Sequence, residues 1–202
     1  MPVEIIALII FSVAQIGTPG PANMALLAIG AGYGLRRALP FVAGVVVGKQ
    51  LIIWPLGFGL MQLAASWPAV FLAMKYLSAA YIIYLAWRVA NMRLKPGQSD
   101  GPPPGFVAGL IVHPLNPKAW GMITAAFTSF VVSGASTFSA TLSIAIVLLL
   151  GQTVLHPLWA GAGQLIARTI QGTRAERLVF IGLAVLTVVT VFYALFGGAL
   201  FA

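Results

Sequence analysis

The residues of this chain that could do chemistry are few, and most of them sit in apolar surroundings. Lys49, His113, Lys118 and His156 are the ionisable ones inside hydrophobic stretches. Gln15, Asn23, Asn116 and Gln152 are the amides nearest to them. Ammonium and imidazole groups bind anions and carry protons, and amides can satisfy either donors or acceptors. Carboxylates are nearly absent: Glu4, Asp100 and Glu176 are the only three, all in terminal or connector regions. A proton relay at membrane depth would therefore use lysine, histidine, tyrosine or water. With no cysteine and only two histidines, there is no thiolate nucleophile, no disulfide and no zinc-type ligand spacing. An intramembrane enzyme needs a nucleophile–base pair or a metal cluster at depth. This inventory supplies neither, so no catalysis, metal or cofactor is expected.

Lys49 lies 12 positions past Arg37, about 18 Å along a helix against a hydrocarbon core of about 30 Å. Its stem cannot easily reach either headgroup layer. A charge there costs about 2.5–3.5 kcal/mol on insertion scales, so Lys49 is expected to face the protein interior or water. A neutral or carbonyl-bonded structural lysine is the alternative. No acidic side chain is expected at its depth, so a bound substrate carboxylate would act as its counter-ion. Substrate and proton binding would then favour one another. His156 precedes Pro157, which frees the Thr153 carbonyl, and Gln152 lies one turn away on the same face. His156 reads either as a pathway residue or as a packed, hydrogen-bonding histidine, and His113 carries the same two readings. Asn23, Asn116 and Lys118, with Gln15 nearby, could contact substrate or satisfy freed backbone. Lys75 is shallower and is expected to snorkel outward.

Two broken stretches must position these side chains. Thr18-Pro19-Gly20-Pro21-Ala22-Asn23 interrupts the first hydrophobic segment, and His113-Pro114-Leu115-Asn116-Pro117-Lys118 the fourth. Each proline removes a backbone N–H and crowds the carbonyl four residues earlier, so neither pair fits inside a regular helix. Pro19, Gly20, Pro21, Pro114 and Pro117 form the broken-helix motif. At bilayer depth, freed backbone groups survive only where protein or a water-filled cavity satisfies them. Paired breaks in two halves of a chain therefore point to a binding site.

The 202 residues are 60% hydrophobic and 7% charged, against roughly 25% charged in soluble domains. Six segments reach the roughly 20 apolar residues of a span: Val3 to about Gly34, Leu39–Leu63, Pro68–Ala90, Phe106–Val132, Phe138–Ile166 and Leu178–Phe201. The first and fourth exceed one straight crossing and could tilt, kink, or comprise a re-entrant limb plus a span. The polar stretch Asn91–Gly105 separates two halves, giving one transmembrane domain over 1–202 with repeats at 1–91 and 106–202 and a linker at 92–105. The net charge of +8 punctuates the hydrophobic runs instead of clustering on a polar face, so nucleic acid is not an expected partner. Arg36 and Arg37, then Arg88, Arg93 and Lys95, then Arg168, Arg174 and Arg177 mark alternate connectors. The positive-inside rule places those connectors in the cytoplasm and both termini outside. Glu4, standing where a basic region should be, argues against a signal peptide. Three spans per half enter the membrane in opposite directions. The expected fold is thus an all-α integral membrane protein of six transmembrane helices, built as two inverted three-helix repeats.

The residues also resemble the LysE-type family of amino-acid exporters, which includes homoserine/threonine exporters. Pro19-Gly20-Pro21 resembles its PGP signature, and Gly32-Tyr33-Gly34-Leu35-Arg36-Arg37-Ala38 the connector that follows. Gly44 and Gly48 match small residues of the second span. Lys75 to Leu85 resembles the third-span pattern, with Ser78 where glycine is usual. Asn116-Pro117-Lys118-Ala119, followed by Phe130, resembles the NPK element. The match runs through essentially the whole chain in order. Two departures stand out: Ala22 precedes Asn23 where the family often has Asn or Asp directly after PGP, and Lys49 stands where many members have an acid. The resemblance implies a secondary transporter exporting amino acids or related small metabolites across the bacterial cytoplasmic membrane, driven by protons. A channel or a non-transporting membrane scaffold is the alternative function. Partners would be the small-molecule substrate and membrane lipid, with homo-oligomerisation left open. The small-xxx-small pairs Gly44/Gly48 and Gly30/Gly34 read as close helix packing, Trp54-Pro55 as a kink, and the sixth span as scaffold.

Overall fold

The computed structural model describes residues 1–60, 102–170, 173 and 175–196, together with Ala73, Tyr76, Ala80, Ile83, Tyr84, Trp87, Ala90 and Asn91. Lys75, most of the third hydrophobic segment, linker residues 92–101 and the basic residues Arg88, Arg93, Lys95 and Arg174 lie outside this set.

The described chain is helical. The helices are α1 (Ile5–Gly17), α2 (Pro21–Tyr33), α3 (Leu35–Pro55), α4 (Phe106–Leu110), α5 (Pro117–Phe130), α6 (Thr137–Ile170) and α7 (Ala175–Phe196). No β-strand occurs among the described residues, although Val3 and Val131 form an isolated antiparallel bridge. Leu35–Gly59 and α6 are each long and apolar enough to cross a membrane, and α1 with α2, bent by 55°, would make a third such crossing.

Helix boundaries differ from the sequence expectation in instructive ways. The helix of the second hydrophobic segment, α3, starts at Leu35, not Leu39, so Arg36 and Arg37 fall in its first turn. Similarly, α6 runs on to Ile170 and takes Arg168 into its last turn. A helix does not end where lipid ends, because arginine is a good helix former and can keep its head in water. The kink expected at Trp54-Pro55 falls a few residues later. Pro55 ends α3, a π-helical turn covers Leu56–Leu60, and the non-helical backbone sits at Phe58 and Gly59, the latter at φ +102°. Gly34 is likewise a hinge and not a packing residue: at φ +80° it joins α2 to α3, a conformation that glycine adopts without penalty.

The axis of the molecule is α2, whose residues Pro21 to Ala31 are all buried. It packs closely on α6. A side chain at Gly30 would overlap the Ala160 carbonyl, and one at Gly163 the Leu27 carbonyl. Gly44, Gly48 and Gly109 do the same for α3 and α4, each lying against the other helix's backbone. Such backbone-to-backbone approaches are how small residues hold helices together in lipid. The far side of α6 shows the complement. Leu150, Val154, Leu158 and Leu165 are more than 60% exposed, while Gln152 and His156 are buried. Apolar residues outside and polar residues inside is the pattern of a helix solvated by hydrocarbon.

Contacts at the two ends of α6 fix the course of the broken elements. Val3 pairs with Val131, six residues before α6 begins. The Leu35 N–H donates to Gln164 Oε1 at 2.6 Å, near the other end of α6. The α1–α2 pair therefore starts at one end of α6 and finishes at the other: it is a bent passage, not a hairpin returning to its own side.

Candidate functional site

The first break spans Thr18 to Gly20, and Pro21 occupies the first turn of α2, where its missing N–H costs nothing. Asn23 then reaches back to α1. Its Nδ2 donates to the carbonyls of Ile16 and Thr18, both at 2.7 Å. These are acceptors that the end of a helix leaves without partners. Thr18 adds a bond from Oγ1 to the Gln15 carbonyl at 3.1 Å. No side chain caps the N-terminus of α2.

The second break covers 111–116, between α4 and α5, and is solved differently. Asn116 is the N-cap of α5, its side chain accepting from the Lys118 N–H at 3.0 Å. Trp120 Nε1 donates to the Pro114 carbonyl at 2.9 Å, and the Asn116 N–H to the His113 carbonyl at 2.9 Å. The limb preceding the break is the five-residue α4.

The breaks meet. Lys118 Nζ donates to Thr18 Oγ1 at 2.9 Å and to the Pro19 carbonyl at 3.5 Å, across about a hundred residues of chain. Beneath this contact lies a cavity lined by Gln15, Asn23, Lys49, His113, Asn116, Lys118 and His156, with Ile16, Gly20, Ala22, Ala119 and Met122 between them. Its free space is about 30 Å³, room for a water or two and too little for an amino acid.

Lys49 is 2% exposed, and among the described residues the one contact of its ammonium within hydrogen-bonding reach is the Met122 sulfur at 4.0 Å, a weak acceptor. The His113 and His156 rings stack with centroids 5.7 Å apart. Gln152, fully buried, lies outside the lining but places its Nε2 3.2 Å from His113 Nε2. Among the described residues, the Nδ1 atoms of both histidine rings have no hydrogen-bond partner, nor does Gln152 Oε1. Buried polar atoms are normally satisfied by protein or ordered water, and the cavity they adjoin has room for one. Among the described residues no Asp or Glu lines the cavity, and no three His, Cys, Asp or Glu side chains converge to hold a metal ion. The arrangement can receive an anion. It has lysine amines, imidazoles and an uncapped helix N-terminus, which carries partial positive charge.

Residues 13–201 match the family described as LysE type translocator. This chain belongs to that family. It is a translocator, not an enzyme. Similar proteins include the cysteine/O-acetylserine efflux protein of Klebsiella pneumoniae subsp. pneumoniae, 31% identical over 170 residues, covering 83% of this chain and 85% of that one. The protein of the same name from Escherichia coli K12 is 30% identical over 178 residues, 87% of this chain and 91% of the relative. That of Salmonella typhimurium LT2 is 27% identical over 177 residues, with the same coverage. No solved structure matches the chain.

Of the eight polar residues singled out from the sequence of this LysE-type translocator, seven line one cavity and Gln152 touches it through His113. Sequence reasoning misses Met122, and it names Thr18 only as the start of the first break, not as the partner of Lys118. Met122 lies one helical turn beyond Lys118 on the same face of α5, so helical periodicity counted from Lys118 points to it. Thr18 can be found only from the far side of the contact.

Proposed function

We propose that the chain exports amino acids or related small metabolites across the bacterial cytoplasmic membrane as a proton-coupled secondary transporter. The observation that carries this reading is the meeting of two helix breaks over a small, lysine-lined cavity, in a chain whose similar proteins are named for efflux. Six transmembrane helices in two inverted repeats, with both termini outside, are the architecture that goes with it. In support, α1 lies against α6 at Gly151 as α4 lies against α3 at Gly44 and Gly48. Arg36 and Arg37 share one end of the molecule with Arg168, through the Leu35–Gln164 contact, and the Val3–Val131 bridge marks the other. Repeats of this kind place substrate where the discontinuous helices meet.

In this reading the substrate carboxylate enters between the N-terminus of α2 and Lys49, supplying the counter-ion that no described side chain provides. Binding of anion and proton at one place makes each favour the other, a reciprocal coupling. Lys118, His113 and His156 are the other titratable groups facing the same space. The cavity must open to admit substrate, so the closed contact between Lys118 and Thr18 belongs to one state of an alternating cycle.

The test is efflux in everted vesicles across a panel of amino acids and metabolites. Saturable, gradient-dependent movement is expected, and non-saturable or absent movement would turn the reading towards a channel or a scaffold. Within that assay, Lys49→Met should insert normally yet lose at least about tenfold in rate together with its pH dependence. Lys49→Arg should also impair turnover, because its charge cannot be shed. Wild-type rates and pH profile in Lys49→Met would assign Lys49 a structural role. Reporter fusions should place the 92–105 linker in the cytoplasm and the C-terminus outside, and a cytoplasmic C-terminus would overturn the orientation.

A further inference from the structure

An amino acid enters a site as a zwitterion, and its ammonium brings three N–H donors that need acceptors once water is gone. Among the described lining residues no carboxylate is present to receive them. The backbone carbonyls at the end of α1 are already engaged. That of Gln15 accepts from Thr18 Oγ1, those of Ile16 and Thr18 from Asn23 Nδ2, and that of Pro19 from Lys118 Nζ. Asn116 Oδ1 accepts from the Lys118 N–H.

Two side-chain oxygens remain. Asn23 is 5% exposed and lines the cavity, and both of its bonds are made through Nδ2. Its Oδ1, on the other arm of the amide, has no donor among the described residues. Gln15 lines the cavity too, and its side-chain amide makes no hydrogen bond among the described residues. Both amides draw on the negative end of α1. Gln15 stands in the last turn of that helix, where partial negative charge gathers. Asn23 donates to two carbonyls at the same end, which polarises its amide and makes Oδ1 a better acceptor. The negative pole of α1 thus reaches the cavity through side chains, across the break from the uncapped, positive N-terminus of α2.

We propose that Gln15 and Asn23 form the ammonium subsite of the exported amino acid, two neutral amide oxygens and no carboxylate. This rests on the exporter reading above and deepens it. The substrate carboxylate lies at the N-terminus of α2 with Lys49, and the ammonium, two bonds away, turns towards α1. That carboxylate offsets the neighbouring lysines, so neutral oxygens suffice for the ammonium. Gln15 is the specificity-determining residue that can be tested alone, because its amide has no structural bond to lose, whereas Asn23 also ties off the break.

Each amino acid of the vesicle panel is paired with its 2-hydroxy acid, serine with glycerate and alanine with lactate among them. The two members of a pair differ in one group, a hydroxyl with a single donor and no charge in place of an ammonium with three. Uptake of each radiolabelled pair into everted vesicles is measured at matched expression, against empty vesicles. The amino acid of a transported pair should move at least about tenfold faster than its hydroxy acid. Gln15→Met keeps the length of the side chain and removes the amide, and should lower that preference at least about fivefold through slower amino-acid transport. Equal rates for the two members in wild type overturn the proposal and leave the exporter reading standing. A preference unchanged in Gln15→Met overturns it as well, and so does a loss that falls equally on both members, since a structural role slows both alike. Movement of no amino acid in the panel removes the exporter reading and the proposal together.

Discussion

The two helix breaks look alike in sequence, each a pair of prolines with an asparagine close by, yet the structure closes them in opposite senses. At the first break, Asn23 works as a donor and ties off the carbonyl end of the helix before it, leaving the N-terminus of the helix after it uncapped. At the second, Asn116 works as an acceptor and ties off the N-terminus of the helix after it. One break presents positive backbone to the cavity, and the other presents a side chain, Lys118, and seals its own backbone. The same residue type thus serves either polarity, because an amide carries both a donor and an acceptor. A site assembled from two such breaks can be asymmetric even where the chain halves are related by an inverted plan.

This difference can be attacked by exchanging amide for carboxylate. The largest effect is expected at Asn23. Asn23→Asp removes the donor and faces two carbonyl oxygens with a third oxygen, so loss of stability should reach about 3 kcal/mol or more, each abandoned buried carbonyl costing about 1–3 kcal/mol. Thermal unfolding in detergent measures it, and a Tm equal to wild type would mean the carbonyls find other donors. Asn116→Asp should behave in the opposite way. It keeps the acceptor and places a negative charge at a helix N-terminus, so its Tm should match or exceed wild type. Asn116→Ala should cost about 1 kcal/mol, the usual worth of an N-cap. If the two Asp variants melt alike, the breaks are not closed in opposite senses. The smallest effect belongs to Thr18→Val, which removes one exposed acceptor of Lys118 and should lower stability by less than about 1 kcal/mol. Its value lies in the cavity: by loosening the contact between the breaks it should raise the accessibility of Lys118 to amine-reactive reagents, and unchanged labelling would mean Thr18 does not hold the closed state.

The breaks themselves are legible in the order of residues, because the effect of proline is local. A missing N–H and a clash four residues back depend on nothing but the chain. The same holds for the side chains of interest. A lysine or histidine inside an apolar run is costly wherever the run ends up in the membrane, so Lys49, His113, Lys118 and His156 stand out by position alone. Helix ends are less legible. Arg36 and Arg37, expected in a connector, do not stop α3, which begins at Leu35, and Gly34, spaced for packing, is instead the residue whose positive φ makes the corner.

Pairing is the part that only the tertiary structure decides. Lys118 finds Thr18, Lys49 finds Met122, and Gln152 finds His113, each across a long stretch of chain. Which partner each meets depends on how α2 settles on α6 and α4 on α3, a matter of glycines whose backbones touch. The polarity of each asparagine follows from that packing as well. An amide rotates to whichever unsatisfied group the neighbouring helix end brings within about 3 Å, and the sequence around Asn23 and Asn116 does not say which end that will be.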